Sequence, residues 1–301
     1  MIEDLARASP MEKIRFRNSE KAGVNFYIKR DDLIHPVIEG NKFRKLKYNL
    51  LEIIKTGSKE VVTFGGAFSN HLLAVSQAGK MFDFKTKAII NATYADKTNY
   101  TLSNCIANGM ELELCDKNKF RELRDFYKSQ KSVYYLPEGG SNNFALKGCA
   151  EIADEIYEQL PQATHIIIPF GTGGTAAGMI QNLKPEVRMI VVPVLKLNVL
   201  NHLNDSFPDV MTDDITVWDD YHFGGYAKIN LELIEFIKEW FGSTNIIIDP
   251  IYNGKALFGV VEKISSGYFP SGSNIVYVHT GGSQGIHGIN ARYKINLPVR
   301  K

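Results

Sequence analysis

The chain has 301 residues, which is enough for two domains of ordinary size. With 44% hydrophobic and 23% charged residues and a net charge of +2, its composition is typical of a globular protein and too balanced to indicate a nucleic-acid partner. An N-terminus without an apolar segment, no run of membrane-spanning length and three scattered cysteines predict a cytoplasmic protein without a membrane partner.

Short apolar strands alternate with helices along the chain. An extended run at 24–30 precedes a helix that starts near Asn41, and strands at 60–64, 86–91, 111–114 and 133–136 alternate with helices at 72–81, 98–108, 119–130 and 144–160. The alternation restarts with strands at 165–170, 189–194, 246–248 and 274–279, and with helices at 176–183, 231–240 and 255–264; residues 199–220 are predicted as helix and then loop. This pattern predicts two α/β domains with open, twisted, mostly parallel sheets.

Lys42 lies in the first turn of the helix that starts near Asn41, where Asn41 is a suitable N-cap. The positive end of the helix dipole disfavours a cation at this place. The neutral amine of Lys42 is therefore more available, as a Schiff-base nucleophile requires. A simpler interpretation of the same residues is a solvated basic helix face, to which Arg44, Lys45 and Lys47 also belong.

Three predicted strands end in turns of small residues, at 65–66, 171–175 and 281–282. Glycines there let the backbone approach a ligand and present N–H groups at a helix start, although tight turns alone use the same residues. The best candidate for a phosphate cradle is the second turn, Gly171-Thr172-Gly173-Gly174-Thr175. It also fits a dinucleotide fingerprint loosely, but no acid follows the next strand, which disfavours NAD and leaves an NADP site near Lys196 as an alternative.

Ser69, Asn70 and His71 follow the first of these turns. Ser69 or Asn70 is expected to cap the next helix, with any ligand contact in addition, and His71 by itself is typical of a packed histidine. The seven histidines are scattered, without the paired spacing of a metal site, so the sequence predicts no metal.

Five motifs in this order resemble the pyridoxal-phosphate (PLP) enzymes of the tryptophan synthase β superfamily. They lie at 27–33 with 40–46, at 65–71, at 171–175, at 249–252 and at 279–282, and together they span nearly the whole chain. The branch that they match contains 1-aminocyclopropane-1-carboxylate (ACC) deaminase and D-cysteine desulfhydrase. One such motif is weak, but five in order are a specific signal.

The resemblance implies a role for particular residues. Lys42 is implied to carry the cofactor as the Schiff-base lysine, Asn70 to lie beside the cofactor ring, and Ser69 to contact the substrate carboxylate or to act near Cα. Tyr226 and Tyr252 resemble two active-site tyrosines and, with Lys42 and Ser69, complete the implied catalytic set. The implied cofactor site comprises Lys42, Asn41, Asn70, Gly171, Thr172, Gly173, Gly174, Thr175, Asn253 and Thr280; the implied substrate site comprises Ser69, Asn70, His71, Tyr226 and Tyr252.

The resemblance also implies fold type II of the PLP enzymes, with the cofactor in the cleft between two α/β domains. In that arrangement residues 1–46 and 146–301 form the large PLP-binding domain, and residues 47–145 form a smaller inserted α/β domain. A homodimer is the assembly that the family implies.

Departures from the family pattern bear on the substrate. Asn253 stands where ACC deaminases have a Glu that faces the pyridine nitrogen, whereas Thr280 and His71 agree with D-cysteine desulfhydrases; Glu39 and Phe68 fit neither. A neutral residue stabilises a protonated ring nitrogen less than a carboxylate does, which suits β-elimination, because there the leaving group takes the electrons. The sequence therefore predicts β-elimination on D-cysteine or a similar small D-amino acid, giving pyruvate and ammonia.

Three alternatives stay open from the sequence. The first is ACC deamination to 2-oxobutyrate and ammonia. The second is a non-catalytic PLP-binding or amino-acid-binding protein on the same scaffold, which Asn253 and Phe68 permit. The third is an NADP oxidoreductase that uses the glycines of the second turn.

Overall fold

The computed structural model describes residues 8–212 and 215–300, and these residues form two compact units. The larger unit comprises 8–35, 39–41, 149–212 and 215–300, and the smaller unit comprises 36–38 and 42–148. The domain boundaries predicted at 46/47 and 145/146 stay a prediction, because close contacts define a compact unit and not an independently folding domain.

The larger unit contains a six-stranded sheet. Its strands are β1 (Met11–Ile14), β2 (Asn25–Lys29), β7 (His165–Phe170), β8 (Arg188–Pro193), β9 (Ile215–Val217) and β10 (Asn274–Val278), in the order β1-β2-β10-β7-β8-β9. Only β1 is antiparallel to its neighbour among these pairings. All six residues of β7 are buried, as expected for a continuous apolar run in a parallel sheet that is covered on both faces.

Helices cover this sheet. They are α1 (Arg17–Lys21), α7 (Gly174–Ile180), α8 (Val199–Ser206), α9 (Leu231–Thr244), α10 (Asn253–Ser265) and α11 (Gly285–Tyr293), together with most of α6 (Asn143–Gln159). Phe26, Ile167 and Ile275 of the sheet belong to one hydrophobic core with Ile237 of α9 and Leu257 of α10. Because β10 and β7 are parallel neighbours, residues 279–282 and 171–175 leave the sheet at the same edge.

The smaller unit contains a four-stranded parallel sheet. Its strands are β3 (Glu60–Gly65), β4 (Lys85–Asn91), β5 (Glu111–Cys115) and β6 (Tyr134–Leu136), in the order β5-β4-β3-β6. The helices that follow these strands are α3 (Asn70–Phe82), α4 (Tyr100–Ala107) and α5 (Lys117–Ser129); the helix before them is α2 (Asn41–Thr56). The rings of Phe64 and Phe120 meet edge to face at 5.3 Å in the core.

The α/β alternation and the mostly parallel sheets that the sequence predicts are confirmed. The strand predicted at 246–248 is wrong. Ile246 and Ile248 are buried, which explains their apolar character, but the backbone carbonyl of Ile247 accepts from Nε2 of His279 at 2.7 Å instead of pairing in the sheet. The elements β1, α1, β9 and α11 are not predicted, because each is short or lacks a clear apolar period.

The basic helix face predicted for α2 is also wrong in part. Arg44 and Lys45 are 0% and 1% exposed, and Nζ of Lys45 donates to the carbonyl of Gly139 at 3.2 Å and to Oγ of Ser141 at 3.0 Å. Gly148 of α6 makes this burial possible, because a Cβ there would overlap the carbonyl of Arg44. The part of α2 that carries Arg44 and Lys45 is therefore buried rather than solvated.

The three cysteines are free, which agrees with their odd number and wide spacing, and all three are buried. Of the helices within the two described ranges, none is long and apolar enough to cross a membrane. The same residues contain no group of three His, Cys, Asp or Glu side chains that could hold a metal ion.

Candidate active site

The start of helix α2 is fixed by two neighbouring loops. The backbone N–H of Asn41 donates to the carbonyl of Thr280 at 3.0 Å, and its side-chain amide donates to Oγ1 of Thr175 at 2.9 Å. The sequence predicts Asn41 as the N-cap of α2, but it is the first residue of the helix. Its side-chain amide contacts the 171–175 turn instead of capping the helix. Gly40 has a φ of +62°, and a Cβ on it would overlap the carbonyl of Thr280. Lys42 follows directly in the chain and lies in the first helical turn, as predicted.

The turn at 171–175 connects β7 to helix α7. Gly173 has a φ of +80° and is the N-cap of α7, whose first N–H groups have no partner within the helix. A Cβ on Gly171 would lie 2.8 Å from Cε1 of Tyr252, so glycine lets that ring lie against the turn. Thr175 is buried, and because its Oγ1 accepts from Asn41, its own hydroxyl hydrogen can be donated elsewhere. Backbone N–H groups, a helix start and a hydroxyl donor together suit a bound anion.

Asp249 and Asn253 join helix α10 to the loop after β10. The Asp249 carboxylate accepts from the backbone N–H groups of Ile251, Tyr252 and Asn253 at 2.7–3.0 Å, and so caps the helix. Burial raises the pKa of Asp249, and the hydrogen bonds from Asn253 and its neighbours oppose this. The sequence does not predict this role for Asp249, although the dipeptide Asp249-Pro250 is a recognisable signal for the start of a turn.

The amide of Asn253 is fully engaged with protein groups. Its Nδ2 donates to Oδ2 of Asp249 and to the carbonyl of Gly281, both at 2.7 Å. Its Oδ1 accepts from the backbone N–H of Thr280 at 3.0 Å and from the hydroxyl of Tyr277 at 3.1 Å. Both N–H bonds are therefore used inside the larger unit, and Oδ1 also accepts from the hydroxyl of Thr280 at 3.4 Å.

Replacing Asn253 should destabilise the protein, and the replacement residue should decide by how much. In Asn253→Ala the groups that it pairs, including Tyr277 and the backbone of Thr280, lose a buried partner, and we expect a loss of about 1–3 kcal/mol in the free energy of unfolding. Asn253→Asp places a second carboxylate beside Asp249 and should be the less stable variant at pH 7. Two adjacent carboxylates raise the folded-state pKa of one of the pair above its unfolded value. The Asp variant should therefore regain stability relative to wild type as the pH falls. Denaturant unfolding of both variants at pH 7 and pH 5 measures this, and equal stability of the two would contradict it.

Tyr252 and Tyr226 form a pair in the larger unit. The Tyr252 hydroxyl donates to that of Tyr226 at 3.5 Å, and the rings are 6.0 Å apart at 69°. Tyr226 is half exposed. Burial, with the adjoining Tyr226, raises the pKa of Tyr252 well above its ordinary value, so Tyr252 is a neutral hydroxyl at neutral pH. The two tyrosines that the sequence singles out are thus brought together.

Ser69, Asn70 and His71 lie at the start of α3 in the smaller unit. Ser69 occupies the N-cap position, but its side chain makes no capping hydrogen bond, contrary to the sequence expectation. Its Oγ turns toward Gly65 instead, where it would lie 3.1 Å from a Cβ. His71 is buried, with Nε2 2.7 Å from Oγ1 of Thr63. Burial and then the cations of Lys42 and Lys45 hold the pKa of His71 well below its usual value, so the ring is neutral.

Glu39 is a further residue whose place only the structure shows. It is partly buried, and its Oε2 accepts from the backbone N–H of Ser283 at 3.0 Å and from the Ser283 hydroxyl at 2.8 Å. Burial raises the pKa of Glu39, while Ser283 and His279 oppose this. Glu39 thereby holds the loop that follows Thr280 against the segment that leads into helix α2.

Comparisons with known proteins agree on one family. The family model described as pyridoxal-phosphate dependent enzyme matches residues 2–281. A Thermotoga maritima protein, provisionally named a 1-aminocyclopropane-1-carboxylate deaminase, is 31% identical over 95% of this chain and 97% of its own length. The crystal structure of an ACC deaminase homologue superposes with a TM-score of 0.80 and 26% identity, covering 96% of this chain and 93% of the homologue.

More distant solved structures share the fold. O-ureido-L-serine synthase, at 16% identity, superposes with a TM-score of 0.71 over 94% of this chain and 92% of its own. These findings confirm the resemblance that the sequence motifs indicate, as well as fold type II. The chain therefore belongs to the pyridoxal-phosphate dependent enzyme family, among its ACC deaminase-like members, and pyridoxal 5′-phosphate is its cofactor.

Proposed function

We propose that the protein eliminates the β-substituent of D-cysteine or a similar small D-amino acid. With D-cysteine and one water, the products are pyruvate, ammonia and hydrogen sulfide. The observation that carries this proposal is that the two residues at the positions implied to face the cofactor ring, Asn253 and Thr280, are uncharged and that the Asn253 amide is fully used within the protein.

The 171–175 turn fits the phosphate of the cofactor. Gly171 and Gly173 leave room for close approach, α7 starts there, and the Thr175 hydroxyl has a hydrogen to donate. When bound, PLP withdraws electrons from the substrate α-carbon. We assign Thr172 and Gly174 to the same phosphate contact, and Asn41 to the orientation of Thr175.

Lys42 is the residue to which we assign the covalent attachment of the cofactor. Its place in the first turn of α2 disfavours the ammonium form through the helix dipole. With cofactor and substrate bound, the Lys42 amine would take the proton from the substrate α-carbon.

Ser69 and the start of α3 are assigned to the substrate carboxylate. The Ser69 hydroxyl is not used as a cap, and the first N–H groups of α3 suit an anion. Asn70 is assigned to the neighbourhood of the cofactor ring. Because His71 is buried and neutral, we assign it to fixing the start of α3 behind Ser69, and its predicted substrate contact stays a prediction.

Thr280 is the residue that we assign to the pyridine nitrogen, with Asn253 holding it in place. A neutral hydroxyl stabilises a charged ring less than a carboxylate would, which favours a reaction whose leaving group departs with its electrons. Tyr252 and Tyr226 are assigned to the β-substituent, where the neutral Tyr252 hydroxyl can donate a hydrogen bond to a departing thiolate.

ACC deamination to 2-oxobutyrate is the second candidate, since the names of the Thermotoga maritima relative and of the homologous crystal structure favour it. Amino-acid binding without turnover would be the third. The cytoplasm as the compartment and a homodimer as the assembly belong to the proposal.

Product analysis with the purified holoenzyme separates these candidates. We expect sulfide and pyruvate in equal amounts from D-cysteine, and little 2-oxobutyrate from ACC. L-cysteine and D-serine are the matched controls, for stereochemistry and for the leaving group. Turnover of ACC without sulfide from D-cysteine would overturn the proposal in favour of the second candidate. Binding of all these amino acids, seen as a change in the cofactor spectrum, without any product would favour the third.

A further inference from the structure

Lys255 is a buried lysine that the reaction described above does not use. It is the third residue of α10 and is 0% exposed. Its Nζ donates to the carbonyl of Gly225 at 2.7 Å, to that of His222 at 2.8 Å and to that of Val194 at 3.3 Å. Three converging carbonyl oxygens match the three N–H bonds of an ammonium group, and no neutral side chain offers three donors from one atom.

The loop that Lys255 contacts has an unfavourable backbone. Phe223 and Ala227 have φ values of 52° and 53°, and Gly224 and Gly225 have 90° and 122°. A left-handed conformation is unfavourable for a non-glycine residue, so such a loop persists only where its surroundings hold it. Tyr226 lies inside this loop and is itself half exposed.

The hydrogen bonds of Lys255 are placed to hold that loop. The His222 carbonyl also accepts from the N–H of Gly225 at 3.0 Å, and the Gly225 carbonyl from the N–H of Lys228 at 3.1 Å. The two carbonyls that Lys255 binds therefore begin two successive turns, 222–225 and 225–228, and Tyr226 lies within the second. Its third partner, Val194, directly follows strand β8 and links the loop to the sheet.

The cost of burying this ammonium indicates that its contacts are needed. Burial lowers the pKa of Lys255 to about 8, while the nearby Asp249 opposes the shift. Charge-assisted hydrogen bonds to three carbonyls offset the lost hydration. A leucine or methionine would fill the same space without this cost, but it would remove the one donor that the three carbonyls share.

We propose that Lys255 is a positioning residue that sets Tyr226 against Tyr252. Its ammonium fixes the two turns around Tyr226 to the end of β8 and to α10, the helix whose N-cap is Tyr252. The hydroxyls of the two tyrosines then lie 3.5 Å apart. This inference rests on the proposed function, in which the tyrosine pair acts on the β-substituent.

A double-mutant cycle on the holoenzyme tests the proposal. We expect Lys255→Met to lower kcat/KM for D-cysteine by about 100-fold, as a misplacement of about 1 Å in a reacting group does. In a Tyr226→Phe background the same change should cost less than about 3-fold, because the hydroxyl that it positions is already gone. Equal costs in both backgrounds would show a general structural effect and overturn the proposal.

Lys263→Met is the matched control. Lys263 lies on the same helix and contacts the rings of Trp218, Tyr221 and Tyr268 at 5.5–5.9 Å, so it is a packed lysine without the loop carbonyls. Lys263→Met should lower kcat/KM for D-cysteine by the same small factor in the wild-type and Tyr226→Phe backgrounds. If Lys255→Met does not fold, Lys255→Gln, which keeps two N–H donors, goes through the same cycle.

Trypsin cleavage after Lys228 gives a readout that does not depend on turnover. Lys228 is exposed and lies just beyond Tyr226. Loosening of the loop in Lys255→Met should speed cleavage there, and Lys263→Met should not. Faster cleavage of Lys255→Met would support the positioning inference. If Tyr226→Phe then kept full activity, only the proposed catalytic role of Tyr226 would be wrong. Unchanged cleavage would overturn the positioning inference itself.

Discussion

Replacing Lys42 with alanine should remove turnover while leaving a folded protein. We expect kcat to fall by about 100-fold to 10,000-fold, the range typical of a lost general base, with the larger value if covalent attachment is lost as well. The reason is chemical, because alanine has no amine to bind the cofactor or to take a proton from the substrate. Borohydride reduction followed by peptide mass mapping should find one pyridoxyl group on the Lys42 peptide of the wild type and none in the variant.

Two further variants separate the amine from its charge and from the helix. Lys42→Arg keeps the positive charge but cannot attach the cofactor, so it should be as inactive as the alanine variant. Lys47→Ala removes another lysine of α2 and should keep full activity and the label on Lys42. Attachment of the label to any residue other than Lys42 in the wild type would contradict the assignment.

Gly40→Ala should be the most damaging small substitution in the larger unit. Gly40 has a φ of +62°, which costs alanine about 1–2 kcal/mol. Its new methyl group would also overlap the carbonyl of Thr280, and relief of such overpacking costs about 1–3 kcal/mol more. Because that carbonyl accepts from the N–H of Asn41, the same displacement should weaken the Asn41–Thr175 contact beside the phosphate turn.

Gly57→Ala is a matched control at the other end of the same helix. Gly57 has a φ of +67°, but a Cβ on it would meet nothing within 4 Å. The free energy of unfolding of Gly57→Ala should therefore fall by only about 1–2 kcal/mol, because alanine meets the unfavourable backbone conformation there but no overlap. Denaturant unfolding and titration of the apoenzyme with PLP measure both effects. The prediction would be contradicted if Gly40→Ala were as stable as Gly57→Ala and bound PLP with unchanged affinity. The loop at Thr280 would then move aside for the methyl group at little cost.

Hydrogen bonds join motifs that lie far apart in the chain. Asn41 binds both Thr175 and Thr280, and Asn253 binds the backbone of Thr280 and Gly281 as well as Asp249. Residues 40–41, 171–175, 249–253 and 279–281 thus form one continuous set of contacts in the larger unit. The order of the motifs in the sequence is a sign of the family, but the contacts explain why a change in one should be felt in the others.

The sequence by itself determined the α/β alternation, the place of Lys42 in a first helical turn, and the glycine turn at 171–175. These features depend on local chemistry: apolar periodicity, helix starts and residues that permit close backbone approach. Tyr226 and Tyr252 required the family resemblance, because no local pattern relates two tyrosines 26 residues apart.

Other features were decided only by the tertiary structure. Residues 246–248 have the composition of a strand, yet no neighbouring strand pairs with them, because β-ladders depend on partners distant in sequence. Arg44 and Lys45 look like surface residues and are buried, since Gly148 lets α6 lie against α2 and Gly139 and Ser141 supply acceptors for Lys45. The cofactor contact of Asn253 stays a prediction, but only the structure shows that its amide is bonded to Asp249, Thr280 and Gly281. The reason is the same in each case: burial and hydrogen-bond partners come from residues brought together by folding, and a one-dimensional pattern does not contain them.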